Sequence, residues 1–404
     1  MSGLLGYFSF DKKKPTGEKT EKQQPIRALP ASWYTSPAMY DFERRAIFAN
    51  RWLFMTSTLR LPTAGDYVRY QFAGYDVLIL RDRGNEIRAL HNQSKQTKQR
   101  LVEDTTDNAA GHLDPASLST ASSDMFPIHT HLDRNSFIWI NMDAAPTPSI
   151  PFTQHFLDVD VQARYAPISF PNYTLHHIYT LQSSYNWKLA ADNFNECYHC
   201  PTTHPDIPAF LNLDSFDSYC KAGHIQHACQ PTQEQVDLGV NVHSTYYFPF
   251  SSMTVGKHFL MVQKFLPVSE ARTVCHYEVF KGRASSDDEF HRIADMYARV
   301  MREDKALCER AQANLERGVF EAGWLHPRYE KAPIFFQGGC REVVREHKER
   351  EGREGVVNDA VQEGLRFGEV EEMGEGEGGG EEGEVGKGGE DGRMELRSEV
   401  LACG

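Results

Sequence analysis

The stretch Tyr185–His204 reads YNWKLAADNFNECYHCPTTH and contains two histidines, His199 and His204, five positions apart. Its apolar residues recur at steps of three and four, the period of a half-buried helix: Trp187, Ala190, Ala191, Phe194 and Tyr198. Pro201 and Pro205 cannot lie inside a helix, so the sequence predicts that the helix ends close to His199. Because five helical steps turn through about 140°, only such a break allows His204 to fold back beside His199.

Two imidazoles that converge at a helix end can bind a divalent metal ion. Together with one carboxylate they form the facial triad of non-haem Fe(II) oxygenases, which leaves coordination positions open for oxygen. The alternative is that both histidines lie on a surface loop without a metal. Asp192 and Glu196 precede His199 by two turns and one turn, and this pattern favours the metal site.

The composition indicates a folded protein of two domains. The chain has 404 residues, of which 40% are hydrophobic, and its 24 Phe and 17 Tyr suffice for a sizeable core. No apolar run approaches the ~20 residues of a membrane span. The N-terminal region resembles neither a signal peptide nor a transit peptide, so we expect a cytoplasmic protein. Eight cysteines in so long a chain do not require a disulfide framework.

The net charge of −13 is concentrated near the C-terminus. Gly368–Gly392 contains ten acidic residues and one lysine, so this segment contributes −9 of the total. The rest of the chain is nearly balanced, and no basic patch indicates nucleic acid binding. We expect neither nucleic acid nor a membrane as a partner.

The first part of the chain predicts a small antiparallel β domain at 29–145, after a polar, disordered leader at 1–28. A short helix is expected at Met39–Leu53, followed by short strands separated by turn residues: Asp66–Phe72, Tyr75–Arg81, Glu86–His91 and Ser136–Asn141. Residues 93–124 are polar, contain few large apolar side chains, and predict an irregular loop.

The second part predicts a larger domain at 146–347, in which an antiparallel sheet packs against helices; the fold class is therefore α+β. Its expected strands are Tyr173–Leu181, Ser218–Ala228, Val242–Phe248, Lys257–Leu266 and Thr273–Lys281. A long helix is expected at Asp287–Arg317, and 348–404 is expected to be a disordered tail rich in Gly and Glu.

The long helix supplies a candidate third metal ligand. Its apolar stripe comprises Phe290, Ile293, Tyr297, Val300, Leu307, Ala311 and Leu315, and Asp304 falls in the middle of it. A carboxylate facing a core needs a partner, because Asp is almost never buried unpaired. The partner is either a buried Arg or Lys or a metal ion. The metal ion is favoured, because a site with two histidine ligands needs one carboxylate ligand as well. The spacing from His204 does not by itself select Asp304.

These motifs resemble the catalytic subunit of the Rieske-type non-haem iron ring-hydroxylating oxygenases. Asp192-x3-Glu196-x2-His199-x4-His204 matches the iron-binding signature of that family. Leu29–Phe54 and Phe126–Asp143 are similar to the entry into and exit from its Rieske domain. Three further segments are similar to choline monooxygenase and its fungal relatives: Asn193–Pro205, Ser244–Val255 and Glu303–Phe320.

The resemblance implies a degenerate, Rieske-like small β domain and a catalytic domain of helix-grip, START-like architecture. It also implies that His199, His204 and Asp304 bind mononuclear Fe(II). Catalytic roles are implied for Asp192 and for Glu196, which would bridge to an electron donor site in a neighbouring subunit of a ring-shaped homo-oligomer, commonly a trimer.

The activity implied is oxidation of choline to betaine aldehyde, a step of glycine betaine biosynthesis, with O2 and electrons from a ferredoxin or reductase. Carnitine, another quaternary ammonium compound or an aromatic acid is the alternative substrate. A quaternary ammonium group is held well by aromatic faces. Candidate residues for the substrate pocket are Tyr198, Tyr246, Phe248 and Trp324, with Tyr247 and Phe250 in the same set; the alternative is that most of these are core residues.

The sequence departs from the family where the ligands of the 2Fe-2S cluster are expected, after His91. The first cysteine of the chain is Cys197, whereas such a cluster needs at least two cysteine thiolates. Cys197, His199, Cys220 and His224 do not replace them, because the spacing differs and His199 would have to leave the iron. Cys197 and Cys200 are expected to pack beside the site, with a redox-active pair as the alternative. A catalytically impaired remnant or a mis-spliced gene product is therefore the rival hypothesis.

Overall fold

Two seven-stranded antiparallel sheets carry the fold of the residues that the computed structural model describes, namely 25–103, 110–115 and 123–353. The predicted disordered tail at 348–404 begins too early, because Lys331–Arg353 is a helix. The rest of the tail, most of the predicted leader and part of the predicted loop at 93–124 lie outside the described residues. The mixed α+β class and the antiparallel sheets predicted from the sequence are confirmed.

The first sheet belongs to the small N-terminal part, and its strand order is β2-β8-β7-β5-β4-β3-β6. Its strands are β2 (Leu53–Ser57), β3 (Asp66–Phe72), β4 (Tyr75–Arg81), β5 (Ile87–Ser94), β6 (Ala110–His112), β7 (Met125–Leu132) and β8 (Phe137–Asn141). A short strand before it, β1 (Ile26–Arg27), pairs instead with β16 (Trp324–Leu325). The predicted strands at 66–72 and 75–81 are confirmed to the residue. Gly74, at φ 75°, allows the tight turn between them.

The second sheet has the order β10-β11-β12-β13-β14-β15-β9. Its strands are β9 (Tyr173–Ser183), β10 (Asp217–Lys221), β11 (His224–Ala228), β12 (Val242–Tyr247), β13 (Ser251–Gly256), β14 (Phe259–Ser269) and β15 (Arg272–Gly282). The prediction of one strand at Ser218–Ala228 is wrong. The chain reverses at Ala222–Gly223, where Gly223 adopts φ 73° and lets β10 pair with β11.

The helices of the described residues are α1 (Ser32–Thr35), α2 (Pro37–Glu43), α3 (Phe152–His155), α4 (Trp187–Asn195), α5 (Cys200–Thr203), α6 (Gln233–Asp237), α7 (Asp287–Glu316) and α8 (Lys331–Arg353). The predicted helix at Met39–Leu53 ends earlier, because α2 passes into a π-helical turn at Arg44–Phe48 before β2 begins. The long helix α7 is confirmed. It begins with a capping box in which Ser286 and Glu289 satisfy each other's backbone N–H groups.

A buried ionic network joins the two sheets. Glu278 on β15 accepts hydrogen bonds from Arg60 Nη1 at 2.6 Å and from Thr56 Oγ1 at 2.7 Å, both in the N-terminal part. Lys264 on β14 lies 3.3 Å from the same carboxylate. The side chains of Arg60, Lys264 and Glu278 are at most 2% exposed, so this contact fixes the small β part against the second sheet. None of the described helices has the length and apolar character of a membrane span.

Candidate metal centre

The two histidines lie on either side of a short helix. Helix α4 ends at Asn195, four residues before the end predicted near His199, and the chain turns before α5 begins at Cys200. Pro201 lies in the first turn of α5, a position that tolerates proline. His199 lies directly before α5 and His204 directly after it, so the break brings the two rings to a centroid distance of 5.4 Å. Asp304 approaches them from the middle of α7, 100 residues further along the chain.

The three side chains converge on one point. Asp304 Oδ1 lies 2.9 Å from His204 Nε2 and 3.5 Å from His199 Nε2. One ligand atom from each residue lies within 4.8 Å of the others, and the two imidazoles are buried. Two imidazole nitrogens and one carboxylate on one side of a site are the donor set of mononuclear non-haem Fe(II) centres. The residues present therefore fit that ion.

The electrostatic environment keeps Asp304 ionised. Burial raises its pKa, but the contacts with His199 and His204 outweigh burial and hold the pKa at about 2. Within the described ranges, the charged partners of this carboxylate are the two histidines, with no Arg or Lys among them. The buried Arg or Lys pair that the sequence left open is therefore not what stabilises Asp304.

Each histidine also contacts a second carboxylate through its outer nitrogen. His199 Nδ1 lies 2.7 Å from Glu196 Oε2, and His204 Nδ1 lies 2.6 Å from Glu303 Oε2. These contacts leave the Nε2 atoms directed at Asp304 and orient the rings for a shared ion. Glu196 was predicted to belong to the site, whereas Glu303 was not. The sequence holds no local signal for Glu303, because a partly exposed carboxylate on a helix is ordinarily solvated.

A cavity of about 100 Å³ adjoins the three side chains. Apart from the ligand set and its carboxylate partner, its lining is apolar or uncharged: Asn193, Phe194, Cys197, Cys200, Ile207, Leu211, Phe216, His227, Cys229, Ser244, Thr254, Tyr297, Val300 and Met301. Burial and the neighbouring Arg164 lower the pKa of His227 to about 3, so this imidazole is neutral at physiological pH. Among the described residues, the lining contains neither Lys nor Arg.

Several aromatic rings line this cavity. Phe216 stacks on His227 with ring centroids 5.5 Å apart, and Phe194 meets His227 edge to face at 5.4 Å. Tyr297 comes from α7, two turns before Asp304. Its position in the stripe of α7 is the sequence signal for its place here, because residues seven apart lie on the same helix face.

The four residues predicted for the substrate pocket lie outside the lining of this cavity. Tyr198 is 41% exposed and its hydroxyl donates to Glu330, while Trp324 is 53% exposed on β16. Tyr246 and Phe248 are buried against Phe336 of α8. The aromatic residues that do line the cavity, Phe194, Phe216 and Tyr297, come from α4, the loop before β10, and α7.

Asp192 lies in the core and not beside the metal triad. Its carboxylate accepts hydrogen bonds from Tyr34 Oη at 2.7 Å and from Gln337 Nε2 at 2.9 Å. Burial raises its pKa to about 7 against the lowering effect of these two contacts. Asp192 thus ties α4 to α1 and α8, and the catalytic role implied for it remains a prediction.

The segment after His91 is packed without any cysteine. The Asn92 side chain accepts hydrogen bonds from the backbone of Leu101 and Val102 and donates to the Val102 carbonyl, at 2.9–3.0 Å. Val102 is buried in a small hydrophobic cluster with Leu90 and Met125. The residues in this part of the structure therefore do not fit a 2Fe-2S cluster, which needs cysteine thiolates.

The first three cysteines further along the chain lie beside the cavity or against a helix. Cys197 and Cys200 lie with their Sγ atoms 2.7 Å apart beside the cavity, and both are free thiols. Cys220 contacts the Lys331 carbonyl on α8. Within 25–103, 110–115 and 123–353, the group of His, Cys, Asp and Glu side chains arranged for a metal ion is His199, His204 and Asp304.

Residues 170–346 match the family model of the ring hydroxylating alpha subunit (catalytic domain). The carnitine monooxygenase oxygenase subunit of Acinetobacter pittii is 24% identical over 322 residues, which cover 71% of this chain and 85% of that protein. The chloroplastic choline monooxygenase of Beta vulgaris is 21% identical over 342 residues, or 78% of this chain and 77% of that protein.

The fold is similar to solved structures of the same kind. The quaternary ammonium Rieske monooxygenase CntA in complex with L-carnitine aligns with a TM-score of 0.65 and 20% identity, covering 78% of this chain and 95% of that one. Naphthalene 1,2-dioxygenase from Rhodococcus sp. aligns with a TM-score of 0.59 and 17% identity, covering 79% and 95%. At these identities the likeness establishes the fold.

Proposed function

We propose that the chain is an iron-dependent oxygenase whose Fe(II) is held by His199, His204 and Asp304, since residues 170–346 match the family model of the ring hydroxylating alpha subunit (catalytic domain). The observation that carries this proposal is the convergence of these three side chains, from two elements far apart in the sequence, within 4.8 Å. Bound Fe(II) with open coordination positions supplies activation of O2.

The protein's own side chains prepare this site for the metal ion and the substrate in three ways. Glu196 and Glu303 accept from the Nδ1 atoms of the histidines, which leaves the Nε2 lone pairs for the metal. Asp304 provides a negative charge that offsets part of the charge of the ion. Apolar side chains, among them Val300 and Met301, line the cavity and limit the access of water to the reacting atoms.

The substrate we propose is a choline-like methylammonium alcohol, oxidised to the aldehyde. The aromatic residues Phe194, Phe216 and Tyr297 line the cavity. A contact between an aromatic ring face and a quaternary ammonium contributes roughly 0.5–2 kcal/mol. A substrate carboxylate would lose its hydration in a cavity whose described lining contains no Lys or Arg, and such a loss is costly. The site therefore favours choline over carnitine, glycine betaine and aromatic acids. Carnitine is the second candidate, since it is the substrate named for a relative of 24% identity.

Ligand binding to the iron-loaded protein tests this choice. We expect saturable binding of choline, and binding of carnitine and benzoate at least tenfold weaker because their carboxylates find no cation; a tenfold ratio corresponds to about 1.4 kcal/mol. Phe216→Ala should weaken choline binding, whereas the control Tyr329→Ala, an exposed aromatic residue outside the cavity, should not. Isothermal titration calorimetry measures all of these. Absence of saturable choline binding would remove the substrate proposal, and tighter binding of carnitine would replace it.

The partners proposed follow the family. Electrons come from a ferredoxin or reductase, and Glu196 bridges to an electron donor site in a neighbouring subunit of a homo-oligomer, commonly a trimer. Support comes from a related structure, whose report describes inter-subunit electron transfer in a quaternary ammonium monooxygenase. The proposed organisation is a Rieske-like domain at 29–145 and a catalytic domain at 146–347, between the leader and the tail.

A second candidate function is a chain that binds iron or ligand but does not receive electrons through a cluster of its own. The packed segment Leu101–Val102 favours it, because hydrophobic contacts and the hydrogen bonds of Asn92 occupy the place where cluster ligands follow His91 in the family. In this case the chain binds iron but shows no turnover when NADH, ferredoxin and reductase are supplied.

Turnover assays with NADH, ferredoxin and reductase separate the two candidates, and anaerobic reconstitution with iron and sulfide tests the second. For this chain we expect iron at the mononuclear site, no acid-labile sulfide and no Rieske-type electron paramagnetic resonance signal, because the segment after His91 offers no thiolate. Stoichiometric sulfide with that signal would show that the chain holds a cluster and would overturn the second candidate. A transcript that encodes cysteines between residues 90 and 126 would restore the ordinary family arrangement for the longer product.

A further inference from the structure

His204 is held at both ring nitrogens by consecutive residues of α7. Its Nε2 lies 2.9 Å from Asp304 Oδ1, and its Nδ1 lies 2.6 Å from Glu303 Oε2. An imidazole has two nitrogens, so the contact with Glu303 fixes which one remains for a metal. We propose that Glu303 is a positioning residue that sets the ring orientation of His204 and thereby the affinity of the metal site. This inference rests on the proposed iron centre.

Arg299 holds Glu303 in place from one turn earlier on α7. Its Nη1 donates to both carboxylate oxygens of Glu303, at 2.9 and 3.0 Å. Its Nη2 donates to both oxygens of Asp206, at 2.5 Å each. Asp206 follows His204 by two residues, so Arg299 ties the loop that carries this ligand to the helix that carries Asp304. These hydrogen bonds of Arg299 restrict movement of the His204 ring relative to Asp304.

The two histidines are oriented by different means. Glu196, the partner of His199, is buried and lies in the same turn, where it also accepts from the backbone N–H of His199. Glu303 instead comes from a separate helix and is partly exposed. A single shift of α7 would therefore move both contacts of His204 together. Loss of Glu303 frees the ring to rotate, whereas His199 stays fixed by its own turn.

Titration with Co(II), a spectroscopic substitute for Fe(II), tests the role of Glu303. We expect Glu303→Ala to weaken Co(II) binding by about 10–100-fold, the effect typical of removing a partner of a metal-bound histidine. The visible absorption of the bound Co(II) should also change, because the ring orientation changes. Glu303→Gln should retain part of the affinity, since its amide oxygen still accepts from Nδ1. Asp295→Asn, an exposed residue of the same helix outside the metal centre, is the matched control and should bind as the wild type does.

The possible outcomes separate the inference from the proposal on which it rests. If the wild type binds no Co(II) or Fe(II), the proposed iron centre fails. If wild type and Glu303→Ala bind Co(II) with the same affinity and spectrum, Glu303 is only a surface ion-pair partner of Arg299, and the inference is wrong while the centre stands. Equal weakening in Glu303→Ala and Glu303→Gln would assign the effect to charge and overturn the positioning role. A melting curve for each variant verifies folding, and the Gln variant serves if the Ala variant does not fold.

Discussion

Asp304→Asn is expected to lower the iron affinity of the protein by more than about 100-fold, beyond the effect of losing an outer partner of a ligand. The substitution nearly conserves shape but removes the negative charge that faces His199 and His204. The fold should survive, because a neutral amide costs less to bury than an orphan carboxylate. Iron content by mass spectrometry and a melting curve on the same sample measure both effects. Unchanged iron content with a lowered melting temperature would mean that Asp304 is a structural residue.

Glu278→Gln is expected to destabilise the protein by about 3–5 kcal/mol, because it leaves Arg60 and Lys264 as buried charges without their counterion. Urea unfolding at neutral pH measures this loss. Glu86→Gln, which neutralises an exposed carboxylate in the same protein, is the control and should change stability by less than about 0.5 kcal/mol. A loss of similar size in both variants, or in neither, would contradict the role assigned to the buried network.

The same network predicts how stability depends on pH. Burial raises the pKa of Glu278, but Lys264 and Arg60 outweigh burial and hold it at about 2, below the value of about 4.3 in an unfolded chain. A folded-state pKa below the unfolded value gives stability that is fully present above the unfolded pKa and is lost as the pH falls towards the folded one. The wild type should therefore lose stability between about pH 4 and pH 2, and Glu278→Gln should lose less over that range.

Local sequence patterns predicted the elements that build the metal centre. The predicted helix break before His204 is confirmed, although α4 already ends at Asn195, and the apolar stripe of α7 turns Asp304 inward with its side chain 19% exposed. These inferences succeeded because helix periodicity and the conformational limits of proline act over a few residues. The strand β2 was missed because it is buried on both faces and shows no alternation.

The lining of the cavity was harder to predict. Its residues come from elements that meet only in the folded chain. An aromatic residue such as Tyr246 also fits a hydrophobic core as well as it fits a substrate pocket, so the sequence does not distinguish the two. Glu303 was missed for a related reason, since a carboxylate on the partly exposed side of a helix is ordinarily a solvated residue. Only its contact with His204, 99 residues earlier, distinguishes it.

The iron stoichiometry of the wild type beside Asp304→Asn, after anaerobic loading with Fe(II) and removal of loosely bound metal, tests the proposed centre most directly. The geometry of His199, His204 and Asp304 predicts about one iron per wild-type chain and almost none in the variant. Equal iron content in the two proteins, or none in the wild type, would contradict the assignment of these three residues as the metal ligands.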